Sequence, residues 1–192
     1  MDVAQVVFIG LGVWVALQGL QTWRLQLKGS VEYEVAQNTL RCAYKTRQAL
    51  EFLRDPFRWL NVSLTDTPQE KFNTERKDWN KRIDKFTEAY DELCVQQLES
   101  EIVFGDKVIS SYVKELRDIF IDIRGELEGY LQHLDPHNCY MKDDEDLPNQ
   151  GTEQARRRNI VYRCSSHDPI DAHIADILEK IENYLKPYLH RK

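Results

Sequence analysis

From Val3 to Trp23 the chain reads VAQVVFIGLGVWVALQGLQTW, a run of 21 residues without a charged side chain. No other feature constrains the fold as tightly. A helix that is apolar on all sides needs apolar surroundings on all sides. About 20 residues is also the length that crosses a bilayer core of ~30 Å. No basic stretch precedes the run, and Gln18-Gly19-Leu20-Gln21-Thr22-Trp23 stands where a cleaved leader would carry small residues, so it does not read as a signal peptide. Residues 3–23 are accordingly expected to form a transmembrane anchor helix, with 24–29 as a juxtamembrane linker. Trp23, Arg24 and Lys28 supply an interfacial aromatic and a positive flank, against only Asp2 on the other side. The positive-inside rule then puts the N-terminus outside and the rest of the chain in the cytoplasm. Gln5, Gly12 and Gly19 are seven apart, and Ala16 lies four beyond Gly12. These four share a helix face on which small residues permit close approach, so self-association into a homo-oligomer is expected there.

Beyond the linker, residues 30–192 are expected to form a helical domain of about four helices. Ser30 can open a helix running to about Arg54, with Val35, Ala36, Leu40, Ala43, Tyr44, Leu50 and Leu53 at helical spacing. Asp55-Pro56 ends it. Thr67-Pro68-Gln69-Glu70 reads as a capping box with proline in the first turn. The helix that follows carries Phe72, Trp79, Ile83, Phe86, Tyr90, Leu93 and Leu98 and extends toward Phe104. Gly105 supplies a stop and Asp106 a new cap. Ile109, Val113, Leu116, Phe120, Ile123, Leu127 and Leu134 then mark a third helix, expected to pair with the second as a hairpin. Residues 135–167 read as an irregular loop containing the acidic run Met141–Asp146. Asp168-Pro169 opens a last helix with Ile170, Ile174, Ile177, Leu178, Ile181, Leu185 and Tyr188. Four apolar stripes can bury one another, and the expected fold class is an all-α bundle behind an N-terminal transmembrane helix.

Charge and motif content exclude several functions. The chain has 26 Lys+Arg against 32 Asp+Glu; setting aside Asp2, Arg24 and Lys28 leaves 24 against 31. An acidic domain whose only dense basic run is Arg156-Arg157-Arg158 lacks the phosphate-neutralising surface of a nucleic-acid binder. Phosphate loops, nucleophile elbows and zinc-protease helices are absent from the sequence. No catalytic, cofactor-binding or metal-binding residue is therefore assigned. One constellation was worth weighing for zinc: His137 and Cys139 on one side of the irregular segment, Cys164 and His167 on the other. The first pair is spaced more tightly than structural zinc sites are, and scattered Cys and His in loops recur by chance. The thiols of Cys42 and Cys94 lie among apolar neighbours, the usage of a reducing compartment.

Thr22-Trp23-Arg24-Leu25-Gln26-Leu27-Lys28-Gly29, Glu32-Tyr33-Glu34-Val35-Ala36 and Arg54-Asp55-Pro56-Phe57 together resemble uncharacterised bacterial single-pass membrane proteins with a cytoplasmic helical region. The resemblance covers about the first third of the chain. It implies a bacterial inner-membrane location and transfers no catalytic or binding residue. The expected function is a non-enzymatic, membrane-tethered interaction or scaffold module whose partners are the bilayer and a protein. The alternative is an oligomerising effector that perturbs the bilayer when triggered.

Overall fold

A computed structural model describes residues 3–56, 67–137, 150–162 and 168–190, with backbone alone for 3–11, 13 and 150–155. Among these residues the fold is all-helical, with no strand: α1 (Val3–Arg54), α2 (Pro68–Phe104), α3 (Val108–Leu134), α4 (Gln150–Val161) and α5 (Pro169–Leu189). The expected all-α bundle is what forms.

α1 is one uninterrupted helix of 52 residues, about 78 Å long at 1.5 Å per residue. Residues 24–29, expected as a linker, lie within it. A helix is stopped there only by proline or by a left-handed residue after its last turn. Neither is present: among the described residues the one glycine with positive φ is Gly105, and Gly29 stays helical.

The expectation of a membrane anchor at 3–23 is corrected. Among the described residues no helix is long and apolar enough to cross a membrane. α1 continues without a break into Arg24, Gln26 and Lys28. The localisation built on that anchor, a single-pass protein of a bacterial inner membrane with its N-terminus outside, falls with it.

The capping box at the start of α2 forms as read. The Thr67 hydroxyl accepts from the Glu70 amide, while the Glu70 carboxylate takes the Thr67 amide at 2.7 Å. Glu70, held by that amide and by the Thr67 hydroxyl, has its carboxyl below the ordinary range. Gly105 ends α2 at φ 78° and donates its amide to the Glu101 carbonyl. Lys107, not Asp106, occupies the cap position of α3; Asp106 acts from one residue earlier, accepting from the Val108 amide at 3.2 Å.

The core is built largely as the stripes predicted, but Tyr44 of the α1 stripe is exposed, and the stripes of α3 and α2 shift. Leu50 and Leu53 of α1, Trp79, Phe86 and Leu93 of α2, Leu116, Ile123 and Leu127 of α3, and Ile177, Ile181 and Leu185 of α5 are inside. On α3 the core position falls to Ile119, leaving Phe120 half-buried and stacked on Phe86 at 4.1 Å. On α2 the stripe turns outward at its end, where Leu98 is exposed.

A fifth helix, α4, occupies part of the segment 135–167 expected to be irregular. Its last turn covers Asn159–Val161. Val161 is buried, and Tyr162 just beyond it meets Trp79 and Tyr130 with ring centroids 5.7 and 5.8 Å apart. Arg156 and Arg157 pair with Glu126 of α3 at 2.8 and 3.6 Å. The basic run is thus partly spent on helix packing.

Two buried arginines tie the far end of the bundle together. Arg82 donates to the Phe52 and Asp55 carbonyls, both at 2.9 Å, satisfying carbonyls that the end of α1 leaves open. Arg54, fully buried, donates to the Asn159 and Ile160 carbonyls at the end of α4 and to Asp168 at 2.6 Å and Asp171 at 2.9 Å. Asp168 also caps α5 by accepting from the Ile170 and Asp171 amides. Burial alone would raise its carboxyl, but the Arg54 guanidinium and these amides outweigh that and hold it below its ordinary value.

Candidate interaction surface

Pairings across the bundle fix where α1 leaves it. The hydroxyls of Thr39 and Ser100 meet at 2.7 Å, Lys45 pairs with Glu92, and Tyr44 bonds Glu182. α1 is therefore antiparallel to both α2 and α5. At the near end of the bundle, Phe104 stacks on Tyr188 at 4.2 Å, and Tyr184 donates to Asp106 at 2.6 Å. Burial and that bond push the Tyr184 hydroxyl well above its ordinary value. Val103 lies level with Val31 and Glu32, where α2 is about to end. N-terminal to this level the described side chains of α1 are exposed, apart from the half-buried Gly29. Its first buried residue among those with described side chains is Glu32. The stretch from Val3 to Val31 is thus an arm about 42 Å long.

The arm carries a surface that the bundle does not use. Gly12, Ala16, Leu20, Trp23, Leu27 and Val31 follow one another at steps of four, four, three, four and four, which keeps them on one helix face. All six are exposed, Trp23 by 59% and Leu27 by 52%. Burying such side chains is worth about 1.5–3 kcal/mol each, and a contiguous exposed strip of this kind is more than the singly scattered apolar residues that any protein surface shows.

At the root of the arm a cleft of ≈ 340 Å³ is lined by Arg24, Leu27, Lys28, Val31, Glu32 and Val103. Lys28 meets Glu32 at 3.6 Å on its wall. A second apolar strip, Val95, Leu98 and Ile102, lies on the outside of α2, with Ile102 82% exposed.

The self-association face read from the sequence is only partly described. Gly12, Ala16 and Gly19 are exposed, and a Cβ built on either glycine would meet nothing within 4 Å. The Gln5 side chain lies outside the described residues. Of the weighed zinc ligands, Cys139, Cys164 and His167 also lie outside them, and His137 is on the surface just past α3. The acidic run 141–146 is likewise outside. No group of three or more potential metal ligands occurs among the described residues.

Sequence reasoning missed the outward strip because the whole run 3–23 had been assigned to lipid, which makes every face equivalent. The 4-4-3-4-4 spacing from Gly12 to Val31, which crosses the supposed linker, is the available signal. Comparison with protein-family models, with curated proteins and with solved structures returned no match.

Proposed function

We propose that this chain is a helical interaction module, a scaffold without catalytic chemistry of its own, whose binding element is the arm of α1. The observation that carries the reading is the exposed strip Ala16–Leu20–Trp23–Leu27–Val31 on a helix that continues rigidly out of a packed bundle. The bundle supplies the lever: α1 is clamped by the Thr39–Ser100 contact, by the Tyr44–Glu182 bond and by Arg54 and Arg82 at its far end. A partner seated on the arm is thereby held at a fixed direction to the bundle. Helix-in-groove recognition uses the same anchors at i, i+3 or i+4 and i+7 that this strip offers.

The test is capture of partner proteins by the full-length chain and by its Leu20→Glu and Leu27→Glu variants, with helix content checked by circular dichroism. The reading expects partners retained by the wild type and lost with either variant at unchanged helicity. Equal capture by all three overturns it.

A further inference from the structure

We infer that the seat of the arm strip is the same strip on a second copy of the chain, laid antiparallel. This rests on the reading of the arm as a binding element and names its partner.

Shape is the first argument. Along the strip the outer residues are small, Gly12, Ala16 and the neighbouring Gly19, and the inner ones are large, Leu20, Trp23, Leu27 and Val31. Reversing one copy sets Trp23 against Gly12 and Leu20 against Ala16, filling small with large on both sides of a two-fold axis, as an isologous dimer requires. Glycine weakens a helix interior, and among the described residues nothing lies within 4 Å of a Cβ built on Gly12 or Gly19. A second backbone passing across them gives those positions a role.

Charge is the second argument. Between Val3 and Val31 the charged residues are Arg24 and Lys28, both positive and both at the inner end. Parallel pairing would place Arg24 beside Arg24. Antiparallel pairing separates the two by about 20 Å along the axis, at 1.5 Å per residue, or roughly two screening lengths at physiological salt.

Size is the third. In this register the strips overlap from Gly12 to Trp23, about 17 Å, and a helix about 10–12 Å across gives each partner roughly 170–200 Å² of contact there. The helical backbone of the first residues of each copy runs on past Leu27 and Val31 of the other. A standard interface takes ~800 Å² from each side. The pair is therefore at the small end, a dimer that dissociates on dilution.

Sedimentation of the full chain from about 1 to 100 µM, a range that brackets micromolar dissociation, tests this. The mass should rise with concentration from 22.7 kDa to twice that. Leu27→Glu should stay monomeric throughout, whereas Leu98→Glu, on the outer face of α2, should dimerise as the wild type does. In chains with the four native cysteines replaced by alanine, Gly12→Cys should not form a disulfide with itself but should do so when mixed with Trp23→Cys. A wild type that stays monomeric to the top of the range overturns the inference, as does a dimer indifferent to Leu27→Glu. Self-crosslinking of Gly12→Cys overturns the antiparallel order. If the chain is monomeric yet loses captured partners with Leu27→Glu, the second copy is refuted while the interaction module stands; indifference in both assays refutes both.

Discussion

Replacing Arg54 removes a side chain that joins three helix ends, those of α1, α4 and α5. Its guanidinium is fully buried and faces Asp168, itself 5% exposed at the side chain, with Asp171 and two α4 carbonyls beside it. Arg54→Met keeps most of the volume and strands the Asp168 carboxylate in a dry site. Removing one member of a buried pair costs about 3–5 kcal/mol. At 2–4 °C per kcal/mol for a chain of this size, the melting temperature should fall by roughly 6–20 °C. Asp168→Ser separates the two jobs of that residue, since serine still caps α5 but no longer answers the arginine. Asp168→Ala loses the cap as well and should be worse than serine by about 1 kcal/mol. Arg54→Lys should recover little, because one ammonium cannot reach both carboxylates and both carbonyls. In a double-mutant cycle, Arg54→Met with Asp168→Ser should show a coupling of about 1.5 kcal/mol or more. Acid reports on the same pair. The native Asp168 carboxyl lies below its ordinary value, so its stabilisation is complete above pH ~4 and is lost as pH falls through the depressed native value. The wild type should therefore lose more stability than Asp168→Ser between about pH 5 and pH 2. Thermal melts by circular dichroism decide the matter. A cost under about 1 kcal/mol for Arg54→Met, or no coupling in the cycle, would refute the reasoning.

Leu116→Ala, at a fully buried site on α3, should cost about 2–5 kcal/mol in denaturant melts, and Phe120→Ala should cost less than the ~3–5 of a buried phenylalanine because its ring is half-exposed. Gly105→Ala forces a side chain into the left-handed region at φ 78° and should destabilise by about 1 kcal/mol, measured the same way. The Cys42 thiol is 5% exposed, and burial, reinforced by Glu92, raises it above its ordinary value. Its labelling by a thiol reagent at neutral pH should be slow, accelerating only when denaturant opens the bundle.

The helices of the bundle were legible because their signals are local. Thr67-Pro68-Gln69-Glu70, Gly105 and Asp168-Pro169 each set a boundary through chemistry confined to one turn, and the boundaries fell where those residues placed them. The 3.6-residue stripes marked most of the core for the same reason. Long-range pairing left no such trace. Nothing near Arg54 in the sequence points to Asp168, more than 100 residues away, and Arg54 read only as a basic residue closing a helix. α4 was lost in the irregular segment because Glu153, Arg156, Arg157 and Arg158 crowd out an apolar stripe; what identifies it is Val161 and Tyr162 docking on distant partners. The arm was misread through composition. Assigning Val3–Trp23 to lipid from its lack of charge made every face equivalent, while the exposure of one face depends on where α1 leaves the bundle, a long-range fact the run itself does not carry.

The account rests on α1 continuing unbroken from the bundle into the arm. Nitroxide labels at Gln18 and Arg41, both exposed, in chains freed of native cysteines and diluted with unlabelled protein, test this by pulsed electron resonance. A continuous helix places these backbone positions about 35 Å apart, and the predicted result is a single narrow distance distribution near that value. A broad distribution, or one centred well below it, would mean that the helix breaks at Lys28-Gly29-Ser30, and would contradict the rigid arm.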